Sequence, residues 1–472
     1  MRVLAIIACA LGLVAARAGQ GGTQPDWAAA DAELIAHFQA LVKLDTTDPP
    51  ANPPGGERPA VEYLKRVLTS AGIEFQEFAV ESNRPNLVAR LKGNGQKRPL
   101  LLMGHTDTVN VDVGKWTFPP FSATRDGGYI YGRGTVDDKD NVSASLMVML
   151  MLKRLKVPLD RDVIFLAEAG EEGTTRVGIQ HMVTDHFGAI DAEYCLAEGG
   201  NGSRVGGNVR FISVQTLEKI PYAIELVARG PAGHGSVPLE DNAVAHVSAA
   251  VAAVAKWQPA VRLNETTSAY FKRLADIAPP ADAQRYRDVL DPRKIQQVDA
   301  YFRKNEPRHA SMLRTSASPN MVVAGYRINV IPSEAIATLD VRALPDEDMT
   351  AFLNAVRKVV DDPNVEVRFG KRDTRPGGTE ARIDSEMFKS LESAARAHYN
   401  APTLPTMSTG ATDMAYLRGK GMQCYGVGPA IDTEDGPKGF GAHSDQERIL
   451  ESELTRFLHF YWDAAMAIAR SR

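Results

Sequence analysis

Short apolar segments, each the length of a β-strand, alternate with helical patterns over the first two hundred residues of the chain. The predicted strands run from Asn86 to Leu91, Leu100 to Gly104, Val163 to Ala167 and Ala192 to Ala197. A strongly apolar helix is predicted from Asn141 to Leu155, between the second and the third strand. Because this alternation is typical of a parallel sheet covered by helices, it limits this part of the chain to the α/β class.

The middle of the chain breaks the alternation. It is predicted to form, in order, a strand, a helix, two strands, a helix and a strand: Pro221 to Arg229, Asn242 to Trp257, Met321 to Ile328, Glu334 to Val341, Met349 to Val360 and Val365 to Phe369. That order is typical of the ferredoxin-like α+β motif. Residues of about 258–320 are rich in charge with short helical patches, and we expect them to form a helical elaboration on this domain.

A chain of 472 residues exceeds what a single hydrophobic core usually serves, so two domains are expected. We predict an α/β catalytic domain made of residues 24–216 and 372–472, with a mixed sheet and helices on both of its faces. The α+β domain, residues 217–371, would be inserted between these two pieces as a lid.

Composition and the first residues limit the partners and the location. The formal net charge is -4 and no run of Lys or Arg occurs, so nucleic-acid binding is not expected. An apolar run follows Met1 and Arg2, and a small-x-small site at 16–18 completes the pattern of a signal peptide over residues 1–18. The mature protein is therefore expected to be exported, periplasmic or secreted, and without a membrane segment. Cys195 and Cys424 are predicted as buried free thiols, although an exported protein could also oxidise them.

The stretch LLMGHTDTV ends a buried apolar run in His105 and Asp107. Both residues would lie at the carboxyl end of a strand, where open α/β sheets bind their ligands. Their side chains would point the same way, because side chains alternate along extended chain. The pair can be a metal ligand and the group that orients it, or a solvated strand end, which is the commoner meaning of an isolated HxD.

Carboxylates and a second histidine recur at similar places. Asp137 lies in GRGTVDDKDN before the apolar helix, Glu171 and Glu172 in LAEAGEEGT, Glu198 in CLAEGG and His443 in GAHSD. Adjacent glutamates repel each other unless a cation lies between them or one is protonated. Imidazole and carboxylate groups bind zinc and related metals, and mixed sites often hold two ions that share a bridging carboxylate. Several such clusters in one domain are hard to explain as solvated loops.

In order and approximate spacing, these motifs resemble the M20 family of zinc metallopeptidases and aminoacylases. The resemblance covers nearly the whole chain after the leader, including the inserted domain, and the large insert is similar to carboxypeptidase S-like members. It implies a zinc-peptidase-like catalytic domain that holds two zinc ions per subunit. His105 would bind one ion in a site that Glu198 completes, Glu172 and His443 would bind ions on either side, and Asp137 would bridge both.

The resemblance also implies roles for residues beside the metal ligands. Asp107 would fix the ring of His105, and Glu171 would be the general base that moves a proton from water to the leaving nitrogen. His234, in ARGPAGHGSVP, resembles the histidine that reaches the partner's active site in M20 dimers, which implies a homodimer through the lid. Taken alone, the segment around His234 is equally compatible with a surface turn.

Three further residues resemble substrate-binding positions of the family. Asn329 and Arg342, in the lid, would bind the substrate's carboxylate, a task that suits the planar guanidinium group. Arg342 can also be a surface residue of its strand. Gly410, in STGATDMAY, lies in a turn that resembles the substrate-binding loop. One position departs from the pattern: Asp140 stands where the family usually has glycine, which costs little only if the backbone there is not left-handed.

The resemblance implies metal-dependent hydrolysis of an amide bond, with release of a C-terminal amino acid from a small peptide or an N-acyl amino acid. Glu198, rather than aspartate, follows the carboxypeptidase and aminoacylase members. A dipeptidase of the same family is the alternative among hydrolases. A metal- or peptide-binding protein without catalysis is the alternative from another class, although Glu171 and His234 would then have no role.

Overall fold

The computed structural model describes residues 25–48, 56–372 and 374–471, so the predicted signal peptide lies outside the described residues. The helices are α1 (Trp27–Val42), α2 (Arg58–Ala71), α3 (Lys139–Leu155), α4 (Ile179–Asp185), α5 (Phe187–Ile190), α6 (Ala243–Lys256), α7 (Glu265–Ile277), α8 (Pro280–Asp288), α9 (Ile295–Asn305), α10 (Pro307–Met312), α11 (Met349–Val360), α12 (Glu386–Tyr399), α13 (Met414–Gly419) and α14 (Glu451–Ala469). The strands are β1 (Phe75–Phe78), β2 (Asn86–Leu91), β3 (Leu100–His105), β4 (Thr124–Asp126), β5 (Tyr129–Tyr131), β6 (Val163–Glu168), β7 (Tyr194–Ala197), β8 (Gly202–Val205), β9 (Asn208–Glu218), β10 (Ile220–Arg229), β11 (Gly233–His234), β12 (Ser316–Ala324), β13 (Val330–Ile331), β14 (Glu334–Ala343), β15 (Val365–Phe369), β16 (Thr403–Ser408), β17 (Gln423–Gly426), β18 (Ala430–Asp432) and β19 (Arg448–Leu450).

A mixed sheet of ten strands forms the larger domain. Its order is β1-β2-β6-β3-β7-β17-β9-β8-β18, and β16 pairs with β9. The central strands β6, β3, β7 and β17 run parallel, whereas β1, β2, β8 and β9 add antiparallel pairs. Along β3, Leu100 and Leu102 face the core under α1, α3 and α14, while Leu101 and Met103 face α4 and α13. Helices therefore cover both faces, which confirms the predicted α/β class and explains the continuous apolar run of β3.

A second sheet, in the order β12-β14-β10-β15, forms the inserted domain. All of its pairs are antiparallel, and α6 and α11 pack on one of its faces. This is the predicted ferredoxin-like arrangement. The predicted strand from Met321 to Ile328 was misplaced, because β12 already ends at Ala324. There Gly325 adopts a positive φ of 64°, which turns the chain out of the strand.

The segment predicted as a helical elaboration of the inserted domain is helical, but its placement was wrong. Helices α7 to α10 pack against one another and against β16 and β9 of the large sheet. The apolar face of α7, with Tyr270, Phe271 and Leu274, shares one core with Leu404 and Met407 of β16. Helical periodicity identifies an apolar face but not the surface that covers it, so the sequence alone could not place these helices.

Cys195 and Cys424 lie side by side on the parallel strands β7 and β17. Both are buried free thiols, as the sequence predicted. Among the residues that the structure describes, no helix combines the length and the apolar character needed to cross a membrane.

Candidate metal centre and substrate cleft

Five side chains meet at the carboxyl edge of the large sheet, in two groups that share Asp137. Within each group the donor atoms all lie within 4.8 Å of one another. The two groups are His105, Asp137 and Glu198, and Asp137, Glu172 and His443. All five residues that the sequence predicted as metal ligands are therefore brought together, with Asp137 in the bridging position.

The strand order explains why these residues meet. His105 is the last residue of β3, and Glu198 comes directly after β7, the parallel neighbour of β3. Glu172 lies in the turn after β6, the other parallel neighbour. In that turn Gly170 has a φ of 73°, and a Cβ there would lie 2.7 Å from the carbonyl oxygen of Thr174. Because parallel strands end at the same edge, three separate segments deliver donors to one place.

Asp107 connects the histidine to the glutamate turn. The carboxylate of Asp107 is fully buried and accepts the backbone N–H groups of Glu171 and Glu172 at 3.2 and 3.0 Å. Its backbone carbonyl lies 3.1 Å from Nδ1 of His105, and its carboxylate lies 3.4 Å from the same atom. Asp107 thus fixes the ring, which leaves Nε2 of His105 to face the centre.

Asp137 lies between the two imidazole rings. Its Oδ1 is 3.0 Å from Nε2 of His105, and its Oδ2 is 3.1 Å from Nε2 of His443. Burial pushes the pKa of Asp137 upward, but the hydrogen bonds with the two rings outweigh it and hold that pKa below its ordinary value. Hydrogen bonds to Asp137 and Glu172 raise the pKa of His443 to about 10.

The donor set fits cations. Burial, and then repulsion from neighbouring carboxylates, raises the pKa of both Glu172 and Glu198. Positive charge placed among these acids would relieve that repulsion. A cluster of acids in contact with solvent would not need such a charge. Two imidazoles and three carboxylates, one of them shared, are the ligand chemistry of a pair of zinc-like ions.

The predicted general base, Glu171, lines the same cleft and is 9% exposed. Arg375 donates to its Oε1 at 2.8 Å and to its backbone carbonyl at 3.1 Å, and also lies 3.3 Å from Oδ1 of Asp413. Burial raises the pKa of Glu171 to about 8, and the Arg375 guanidinium opposes that rise. A carboxylate with a pKa close to neutrality is suited to accept and return a proton. Arg375 was not predicted, because it lies in a segment without periodic pattern.

A second buried arginine, Arg84, organises the glutamate turn from behind. It contacts Asp48 and Thr174, and its Nε donates to Glu57 at 3.0 Å. Glu57 in turn accepts the N–H group of Gly170 at 3.1 Å. This network was not predicted. Asp48, Glu57 and Asp107 bring three carboxylates together, as a cation site would. The guanidinium group of Arg84 already supplies the positive charge there, so the network is structural.

The cleft over the centre has a volume of about 340 Å³, and its lining includes four of the metal-ligand candidates together with Arg342, Arg372 and Arg375. Arg342 and Arg372 both pair with the carboxylate of Asp340, at 2.9 and 2.7 Å. Two guanidinium groups against one carboxylate leave net positive charge, which suits an anionic part of a substrate. Gly410 precedes Ala411 in the cleft wall, and its N–H group donates to Oγ of Ser408 at 3.1 Å.

His234 and Asn329 lie together on the inserted domain, away from the cleft wall. Strand β11, which ends at His234, pairs with β13, and Gly235 donates to the carbonyl of Asn329 at 2.8 Å. Both side chains are exposed. Within the described residues of one chain they do not line the cleft, so their roles stay predictions.

The departure at Asp140 leaves the loop intact. Asp140 lies in the first turn of α3, where negative charge is favoured, and not among the residues of positive φ. Burial raises its pKa to about 7.

Fold and site together define a class: a two-domain α/β protein whose cleft combines a paired metal-binding donor set with a buried glutamate. A profile described as peptidase family M20/M25/M40 matches residues 101–467. The chain belongs to this family and is a metal-dependent hydrolase of amide bonds, which confirms the resemblance drawn from the motifs.

Individual relatives agree with this membership. The chain is 27% identical over 391 residues to the probable carboxypeptidase S-like 2 of Dictyostelium discoideum, covering 80% of this chain and 73% of that protein. It is 24% identical over 440 residues to aminoacylase-1 of Mus musculus, covering 92% and 94%. The M20 family metallo-carboxypeptidase Sso-CP2 of Sulfolobus solfataricus shares the fold, with a TM-score of 0.67 at 18% identity over 92% of this chain and 99% of that one.

Proposed function

We propose that this protein releases a C-terminal amino acid from a small peptide or an N-acyl amino acid, with two zinc ions as its cofactor. The observation that carries the proposal is the pair of donor groups joined by Asp137, in a cleft that also holds Glu171 and the guanidinium groups of Arg342 and Arg372. The names of the relatives, a carboxypeptidase S-like protein and an aminoacylase, support the same two substrate classes.

The five donors would hold the ions in two sets that share Asp137. When bound, zinc would polarise the scissile carbonyl and lower the pKa of the attacking water. Glu171 takes the proton of that water and returns it to the leaving nitrogen. Arg375 holds Oε1 of Glu171, so Oε2 is the atom that carries the proton. Arg342 and Arg372 orient the substrate by its carboxylate, with Gly410 in the adjoining turn.

A substrate panel on the zinc-loaded protein tests this function. We expect turnover of N-acyl amino acids and blocked peptides with a free carboxylate, and loss of turnover when that carboxylate is amidated. Glu171→Gln should keep its zinc but lower kcat by roughly 10²–10⁴-fold. Glu62→Gln, on an exposed helix face, is the control. Hydrolysis of free dipeptides alone would favour the dipeptidase alternative, and zinc binding without any turnover would favour the binding protein.

We further propose a homodimer through the inserted domain, in which His234 and Asn329 complete the partner's site. Support comes from β12, an edge strand of its sheet that carries a row of exposed apolar side chains. Val323 is 66% exposed, and Tyr326 just beyond the strand is 84% exposed. Such an edge is a template for pairing with a second chain.

Complementation between subunits tests the dimer. His234→Ala and Glu171→Gln chains should each be nearly inactive, but refolding them together should restore activity. A random mixture gives hybrids in half of the dimers, each with one complete site, so about a quarter of wild-type activity is expected. A monomer in sedimentation experiments, or no recovery on mixing, would rule out this role of His234.

We also propose that the chain is exported after removal of residues 1–18. The support is the charged, apolar and small-residue pattern of the sequence itself. Mass spectrometry of the native N-terminus tests it, because a chain that retains residues 1–18 would contradict cleavage.

A further inference from the structure

Three arginines line the cleft, and their partners divide them into two kinds. Arg342 and Arg372 share the carboxylate of Asp340 on β14 of the inserted domain, and each of their side chains is 29% exposed. The side chain of Arg375 is 13% exposed, and the two carboxylates that it contacts belong to the larger domain. Arg375 therefore faces acids beside the metal centre, whereas the other two arginines are tied to the inserted domain.

Arg375 and Asp107 together hold Glu171 at three of its atoms. Nη2 of Arg375 donates to Oε1 of Glu171 at 2.8 Å and to its backbone carbonyl at 3.1 Å. The backbone N–H group of Glu171 donates to Oδ1 of Asp107 at 3.2 Å. Since a misplacement of ~1 Å at a reacting group can cost ~10²-fold in rate, contacts that fix this side chain bear directly on turnover.

The carboxylate of Asp413 lies against the same guanidinium group. Asp413 is 1% exposed, and its Oδ1 is 3.3 Å from Nη2 of Arg375. It stands at the N-cap position of α13, but its side chain makes no capping hydrogen bond there. Burial pushes the pKa of Arg375 down, but the charges of Asp413 and then of Glu171 outweigh it and raise that pKa. A buried carboxylate that does not cap its helix needs another polar partner, and Arg375 supplies it.

Helix α13 gives Asp413 a rigid support. Met414 and Leu417 of this helix are fully buried in the core on one face of the large sheet. Because Asp413 is not among the residues that line the cleft, it can reach the cleft only through Arg375. We propose that Asp413 and Arg375 are a positioning pair: the buried carboxylate fixes the guanidinium group, which directs Oε2 of Glu171 at the attacking water. This inference rests on the proposed function and adds two positioning residues to it.

Steady-state kinetics of the zinc-loaded full-length protein separate positioning from substrate binding. With a substrate that the wild type hydrolyses, Arg375→Met should lower kcat by ~10²-fold and Asp413→Asn by about tenfold or more. Both variants should keep KM within about twofold of the wild type and bind as much zinc. Arg342→Met, at the substrate's carboxylate, should instead raise KM. A raised KM with unchanged kcat for Arg375→Met would make it a substrate-binding residue and overturn the proposal.

A buried acid elsewhere in the chain is the matched control for Asp413. Asp299 is 2% exposed and pairs with Arg303 and Arg314, but it lies in the helical segment α7 to α10. Asp299→Asn should lower the free energy of unfolding, as Asp413→Asn does, and leave kcat within about twofold of the wild type. An equal fall of kcat in the two variants would show general destabilisation and contradict positioning.

Combined variants test whether Asp413 acts through Arg375. If it does, Arg375→Met with Asp413→Asn should have the kcat of Arg375→Met alone, whereas independent effects on kcat would multiply. Arg375→Ala leaves room for a small cation, so guanidinium chloride at a non-denaturing concentration should restore part of its kcat. Adding Asp413→Asn should weaken that rescue. Multiplied losses, together with no rescue by guanidinium, would overturn the proposal.

Stability measurements separate this proposal from the proposed function, because they need no turnover. In urea denaturation, the loss of unfolding free energy for Arg375→Met with Asp413→Asn should be smaller than the summed losses of the single variants. The same should hold for Arg375→Met with Glu171→Gln. If the wild type hydrolyses none of the panel, the proposed function fails, while the three-residue contact is still judged here. Additive losses in both pairs would overturn the positioning pair even for an active enzyme.

Discussion

Replacing Asp107 by asparagine should weaken the metal centre more than it weakens the fold. The carboxylate accepts two backbone N–H groups, from Glu171 and Glu172, and its negative charge lies 3.4 Å from Nδ1 of His105. Asparagine keeps only one acceptor oxygen, so one of these buried amides would face an NH₂ group, at a cost of about 1–3 kcal/mol. The ring of His105 would also lose the charge that fixes it, and such changes typically lower metal affinity ~10–100-fold.

Competition for zinc with a chromogenic chelator measures the first effect, and urea denaturation measures the second. We expect the affinity of Asp107→Asn to fall by ~10–100-fold and its free energy of unfolding by about 1–3 kcal/mol. Asp348→Asn is the control, because this exposed carboxylate also accepts two backbone N–H groups, from Thr350 and Ala351, at the start of α11 in the inserted domain. Zinc affinity equal to that of the wild type would refute the orienting role of Asp107.

Three further predictions concern stability. Arg84→Met should lower the free energy of unfolding, measured in urea, by ~3–5 kcal/mol, because it leaves buried carboxylates without their cation. Arg176→Met, which breaks an exposed ion pair with Glu81, is the control, and a smaller loss for Arg84→Met than for this control would contradict the prediction. Phe271→Ala should cost ~3–5 kcal/mol, since its buried ring stacks on Phe302 inside the helical segment; a cost under 1 kcal/mol would argue against that packing. Burial lowers the pKa of Lys219 to about 7 in the folded protein, from an ordinary value of 10.5, so between these values the unfolded chain holds more protons. The free energy of unfolding should therefore rise with pH above about 7, and Lys219 contributes at most ~1.4 kcal/mol per pH unit to that rise. In urea titrations at several pH values, Lys219→Met should show a smaller slope of unfolding free energy against pH than the wild type. Identical slopes would contradict it.

The metal centre was predictable because strand ends carry their own signal. An apolar run that stops in a charged residue, as at His105 or Glu198, marks both a buried strand and the edge where it ends. The resemblance of the motifs to the M20 family then implied Asp137, Glu172 and His443 as partners. The structure brings all five together.

The supporting groups were not predictable in the same way. Arg84, Arg372 and Arg375 lie in segments without periodic apolar pattern, and an arginine in such a segment is ordinarily solvated. Arg84 and Arg375 are largely withdrawn from solvent, and all three arginines face carboxylates that other segments bring to them. The helices α7 to α10 show the same limit, because their apolar faces are readable but the β16 surface that covers them is not.

The sequence by itself determined the class of fold, the inserted ferredoxin-like domain and the identity of the metal donors. The first two depend on local patterns of periodicity and strand termination, whereas the roles of the donors came from the resemblance of their motifs to the M20 family. Only the tertiary structure decided which guanidinium faces which carboxylate and where the helical segment packs. Those outcomes depend on contacts between residues far apart in the chain, whose free energies no local pattern encodes.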